Sequence, residues 1–193
     1  MGIDEEIYAS YYIDHMAYFV TYRNTDPVFA VDIADAKKPR LCSELKLPGY
    51  SDYLHSFGED YMVGLGVHGD GKDSSKDRVK LSLFYIDEKK SLKEVAKEVT
   101  PYKTWDYELA DYDHRQVFID EERGLLGFYV WEYEKETYHF ELYQKNGEQF
   151  EKLWETEVKG EDNGYGDDLL RGVRIGETFY VVYATGEVKT CQL

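Results

Sequence analysis

The chain has 193 residues, 39 of them acidic and 23 basic, giving a formal net charge of −16, and its hydrophobic share is 42%. That length supports a sizeable core, and an aromatic share of 16% excludes a disordered chain. The charge excludes nucleic acid as a partner, since phosphate binding needs a basic stripe, and no apolar run reaches the roughly 18 residues of a membrane span. The acidic stretch from Met1 to Glu6 stands where a signal peptide would have basic residues, so no signal peptide and no membrane insertion are expected of this chain. Tyrosine is over-represented at 19 residues against four prolines, a bias that favours strands.

Four similar units follow one another along the chain. The first opens with a hairpin over residues 7–22 that turns at Asp14-His15. Its third strand alternates Phe29, Val31 and Ile33 with smaller or polar neighbours, and a fourth is expected over 40–47. The second unit repeats this with a hairpin over 52–67, a turn at Gly58-Glu59-Asp60 and a strand carrying Leu81, Leu83 and Tyr85. Its fourth segment, 92–99, places Leu92, Val95, Ala96 and Val99 at helical spacing. We assign it as a strand, because its counterparts in the other units are strands. The third unit has a hairpin over 115–133 turning at 120–124, a strand with Phe140 and Leu142, and a fourth strand over 149–158. The fourth unit has a hairpin over 170–184 with a Gly176-Glu177 turn, then only residues 187–193, so it lacks an outermost strand.

Antiparallel units of three to four strands predict an all-β fold of about four β-propeller blades, as a partial or small ring, with a β-sandwich as the alternative. The expected blades cover about 7–50, 51–101, 113–160 and 168–193, within a single domain or propeller fragment spanning 1–193. An open arc of blades would leave two end faces wet, which ring closure, further blades or a partner chain would cover.

Several motifs resemble a known family. They are the run from Ala17 to Ile33 with its Thr25-Asp26-Pro27 turn, Lys38-Pro39, and the stretch from Glu44 to His55 containing Pro48-Gly49-Tyr50-Ser51-Asp52-Tyr53-Leu54-His55. Gly64-Leu65-Gly66, the run from Val79 to Phe84, Asp113-His114 and Arg171-Gly172 continue the series. Together they resemble the β-propeller domain family of secreted bacterial proteins, distantly related to WD repeats, over nearly the whole chain. Members of that family are usually longer, with a signal or anchor and further blades upstream, so this chain resembles their C-terminal portion. The resemblance implies an extracytoplasmic, repeat-built scaffold and supplies no enzymatic activity. A naturally short version would instead be cytoplasmic.

The first strands of propeller blades line the central channel, which makes His55, Asp113, His114 and Arg171 the candidate ligand-binding residues, with Asp113 able to orient the His114 imidazole. The same side chains would otherwise only hydrogen-bond the turns between blades. Tyr50, Tyr53, Tyr102, Trp105, Tyr107 and Tyr112 cluster near the connections between units, where aromatics contact protein or carbohydrate or simply pack between blades. The loop from His68 to Asp77 offers Asp70, Asp73 and Asp77, but its spacing fails the EF-hand pattern and Lys72 and Lys76 oppose a cation. Cys42 and Cys191 form no metal-binding spacing and read as free thiols, with a bridge between first and last units as the alternative. No nucleophile elbow, zinc helix or P-loop is present. No metal or cofactor is expected. The favoured function is a non-catalytic binding scaffold that contacts a protein or glycan, with oligomerisation through exposed end blades as a further expectation. The alternative is a polysaccharide-acting hydrolase or lyase at the channel.

Overall fold

The computed structural model describes residues 6–22, 26–69, 73–104, 116–160, 171–183 and 186–193. They form strands joined by tight turns, with 3-10 turns at Ser74–Lys76 and Tyr133–Lys135. The chain divides into two compact units, Met1–Thr104 and Trp105–Leu193.

The first unit holds two four-stranded antiparallel sheets, each ordered as in the chain. One is β1 (Glu6–Ile13), β2 (Met16–Tyr22), β3 (Asp26–Asp32) and β4 (Arg40–Leu47). The other is β5 (Tyr50–Ser56), β6 (Tyr61–His68), β7 (Arg78–Ile86) and β8 (Leu92–Lys103). The hairpins turn where expected, with Asp14 at φ 52° and Gly58 at φ 95°, the left-handed region that short polar residues and glycine tolerate. Period-2 alternation sends Met16, Tyr18, Val20, Val28 and Ala30 to one face of the first sheet, where they meet Leu54, Met62, Phe84, Ile86 and Leu92 of the second. Burying each of the larger side chains in this seam contributes about 1.5–3 kcal/mol. The leading strands β1 and β5 run beside each other.

Residues 92–99 are indeed strand, despite their helical spacing. A register shift against β7 between Leu83 and Phe84, opposite Ala96 and Glu94, breaks the simple alternation within this segment, and a second, between Arg78 and Lys80, falls beyond Val99. The strand also continues past Val99 to Lys103 and contains Pro101. Proline is tolerated there because β8 is an edge strand, with one side making no ladder bonds.

The second unit holds β9 (Phe118–Asp120), β10 (Leu125–Glu132), β11 (Thr137–Asn146) and β12 (Gln149–Lys159) in one sheet. A three-stranded sheet follows, β13 (Arg171–Ile175), β14 (Thr178–Val182) and β15 (Val188–Gln192). Among the described residues the last sheet has three strands. Phe179, fully buried, sits between the two sheets, with its ring 4.8 Å from Phe118, 5.7 Å from Phe140 and 6.3 Å from Trp154. Gly172 lets β13 approach this cluster: a Cβ there would lie 2.6 Å from Phe179 Cζ and 3.0 Å from Phe140 Cζ. Arg174 Nε reaches Asp120 Oδ2 at 2.7 Å across the same seam, and Arg123 grips Glu177 with two bonds of 2.6 and 2.7 Å. The all-β fold of three- and four-stranded antiparallel sheets is thus the observed one.

Candidate functional site

His55 lies near the end of β5, and a bulge at Asp52 decides which way its neighbours face. The register shifts between Ser51 and Tyr53, so Ser51 and Leu54 share the face that packs on the first sheet, while Tyr53 and His55 turn to the other. Gly64 is needed beside this bulge, since a Cβ there would lie 2.7 Å from Ser51 Oγ and 2.9 Å from Phe84 Cε2. The His55 ring lies 6.2 Å from Tyr53 with planes 8° apart, and 5.1 Å from Tyr11 of β1 at 46°. Tyr11 also places its hydroxyl 3.2 Å from Ser56 Oγ. Tyr53 is buried at 9% exposure, whereas Tyr11 and His55 are half-buried. Burial, with a smaller contribution from Tyr11, pushes the Tyr53 hydroxyl well above the usual phenol range. The site therefore has two reachable rings against a buried, neutral backing ring.

The Nδ1 of His55 is 2.8 Å from the Ser56 carbonyl oxygen, which can only accept, so Nδ1 carries the proton and donates.

Arg171 opens β13 in the second unit, opposite Val182, and is half-buried. Asp113 and His114 lie outside the described residues, as do Trp105, Tyr107 and Tyr112. Tyr50 begins β5 and Tyr102 lies in β8. In the 68–77 loop, Asp73 is used locally: it accepts from the Ser75 backbone N–H at 3.2 Å and pairs with Lys76 at 3.0 Å. No metal-binding group of three or more ligating side chains occurs among the described residues. Both cysteines are free thiols.

The structure also shows buried polar groups that sequence reasoning missed. Lys80 is 1% exposed and donates to the Pro48 carbonyl at 3.3 Å. Cross-strand pairing puts it on the same face as His68 and Ser82, whose hydroxyl donates to Glu94 at 2.8 Å. Burial and then the Lys97 and Lys80 charges hold the His68 pKa below its usual value. In β11, Glu141 is 1% exposed and accepts from Tyr143 and Lys152, both at 2.6 Å. His139 lies 2.9 Å from Glu132 and 3.5 Å from Glu157. Partial burial works against the Glu132 carboxylate, but hydrogen bonds from Lys135 and His139 outweigh it and lower its pKa. The available signal was a charge inside an otherwise apolar strand, as in Val79-Lys80-Leu81 and Phe140-Glu141-Leu142. A cleft of about 430 Å³ in the second unit is lined mainly by Leu125, Leu153, Cys191 and Leu193, and its one cation, Arg123, is already committed to Glu177.

Blade-like antiparallel sheets packed face to face in pairs define a propeller-type repeat protein. The chain belongs to the Beta propeller domain family, whose model matches residues 1–193. It is similar to an uncharacterized protein of Methanocaldococcus jannaschii, 43% identical over 93 residues, which cover 48% of this chain and 14% of that protein. It is also similar to an uncharacterized protein of Archaeoglobus fulgidus, 34% identical over 125 residues, or 65% of this chain and 19% of that protein. Both relatives are archaeal, and the chain spans less than a fifth of the length of each.

Proposed function

We propose that this β-propeller domain is a non-catalytic binding module whose first unit presents Tyr11 and His55 to a glycan. The observation behind it is the Tyr11–His55–Tyr53 ring cluster at the seam between β1 and β5. Ring faces stack on the apolar faces of sugars. The buried carboxylates support a binding role over a hydrolytic one. Glu141 is neutralised by Lys152, and Glu132 is held by Lys135 and His139, which suits structural ion pairs better than a general acid and its partner.

The setting we propose is extracytoplasmic, on or secreted from a cell, as in the bacterial proteins that the sequence resembles. A protein ligand would use the same surface. Titration against a panel of oligosaccharides tests the reading. Binding without turnover is expected, and His55→Ala should weaken it by about tenfold, about 1.4 kcal/mol, through the lost ring contact. Glycan cleavage by the wild-type chain, or unchanged affinity in His55→Ala, would overturn it.

A further inference from the structure

Asparagine is scarce in this sequence, which has three, and two of them, Asn146 and Asn163, precede glycine. Asn163 lies outside the described residues, whereas Asn146-Gly147 forms the tip of the β11–β12 hairpin. Asn146 pairs with Gln149 as the last rung of the ladder, leaving Gly147 and Glu148 as a two-residue loop. Gly147 has φ 62° and Glu148 an ordinary negative φ. That is the pattern of a type II′ turn, whose first central position calls for glycine.

All four tip residues are exposed. A Cβ at Gly147 would meet nothing within 4 Å, so the space beside its nitrogen is open. Neither the Gly147 N–H nor the Asn146 carboxamide is hydrogen-bonded among the described residues. The base of the hairpin, by contrast, is held. Lys145 N–H donates to the Gly124 carbonyl at 2.8 Å, and Phe150, 9% exposed, sets its ring 6.3 Å from that of Tyr143. Fraying of the tip therefore breaks only the Asn146–Gln149 pair, a local opening that leaves the rest of the sheet intact.

We propose that Asn146 is a site of spontaneous covalent modification, deamidation through a cyclic imide at the hairpin tip. Once the closing pair frays and the Asn146 backbone rotates, the Gly147 nitrogen gives its proton to a solvent base and attacks the Asn146 Cγ. The new N–Cγ bond closes a five-membered ring, the Cγ–Nδ2 bond breaks, and Nδ2 takes a proton from water and leaves as ammonia. Water then opens the imide. Attack at Cγ gives aspartate, and attack at the backbone carbonyl gives isoaspartate; the net change is one water consumed and one ammonia released, with no oxidation or reduction. Glycine favours the step because no Cβ crowds the attacking nitrogen. Either product adds one negative charge beside Glu148 in a chain already at −16. The isoaspartyl form also lengthens the main chain by one carbon, which a two-residue loop does not accommodate with its closing pair intact.

The test is to hold the full chain folded at mildly alkaline pH, with a portion unfolded in urea as reference, and to follow both by ion-exchange chromatography and peptide mapping. An acidic form whose change maps to position 146 should accumulate in the folded chain, at a rate within about tenfold of the unfolded portion, equivalent to a local opening of about 1.4 kcal/mol. An isoaspartate-specific carboxyl methyltransferase should label the same peptide from S-adenosylmethionine. Asn146→Gln, at an exposed tip, should keep the fold by circular dichroism and lose that form and that label. A folded chain whose 146 peptide stays intact while the urea portion converts would overturn the proposal. So would an acidic form that maps to Asn163 alone and persists undiminished in Asn146→Gln.

Discussion

The seam of the first unit and the seam of the second are built from different materials. Between the first two sheets lies an aliphatic and methionine-rich layer, Met16, Val20, Leu54, Met62 and Ile86, with Tyr18 and Phe84. One end of that seam becomes polar at His68 and Lys80, and its leading strands carry the half-buried Tyr11 and His55. Between the third and fourth sheets, three aromatic rings converge on Phe179, and two guanidinium–carboxylate pairs bridge the strands around them. Polar groups in the second seam thus hold one another, whereas the leading strands of the first unit carry a tyrosine and an imidazole that are only half-buried. The contrast assigns stability to the second seam, and under the proposed function ligand contact falls to the first unit.

Substitutions should separate the two. Phe179→Ala removes the buried centre of the aromatic seam and should cost about 3–5 kcal/mol. All three tryptophans, Trp105, Trp131 and Trp154, belong to the second unit, so the urea midpoint of tryptophan fluorescence reads this loss directly. Ligand titration of the folded fraction should be unchanged. A smaller effect is expected from Gly172→Ala, whose new methyl meets rings packed on both sides and should cost about 1–3 kcal/mol by overpacking. A neutral result there would mean that β13 is free to move back from Phe140.

The polar end of the first seam should respond to pH. Because the folded-state pKa of His68 lies below its ordinary 6.5, the unfolded chain takes up the proton first. Stability is then full above 6.5 and falls as pH drops through that value and below it, until the folded imidazole also protonates. Urea midpoints at neutral and mildly acid pH should show this slope in the wild type, and His68→Gln should reduce it. The paired carboxylates with lowered pKa, Asp32, Glu132 and Glu177, titrate in a more acid window and lose their contribution only there. The smallest effect is expected for Arg123→Gln, since its pair with Glu177 is solvent-exposed and such pairs add little. Its melting temperature should scarcely move in high salt, where the pair is already screened.

Much of the fold was legible because strand alternation and turn chemistry are local. The Asp14, Gly58 and Gly176 turns and the apolar alternation of β3 and β7 follow from short stretches of sequence. Residues 92–99 were the ambiguous segment, where the strands at the same place in the other units and a length of only two helical turns favoured strand. The reach of β8 to Lys103 was not legible, because Pro101 reads as a terminator unless the strand is known to lie on an edge. The site was less accessible still. His55 could be singled out from its place in the unit, but its approach to Tyr11 depends on how two sheets pack. The burial of Lys80 and Glu141 depends on partners distant in sequence, at Pro48 and Lys152.

The assignment of ligand contact to the first seam is tested most directly by calorimetric titration with the tightest-binding oligosaccharide from a panel, comparing wild type, His55→Ala and Arg123→Gln. The account predicts heat of binding without product formation, about tenfold weaker binding by His55→Ala, and wild-type affinity for Arg123→Gln. Equal affinity in His55→Ala, or a loss in Arg123→Gln alone, would contradict it.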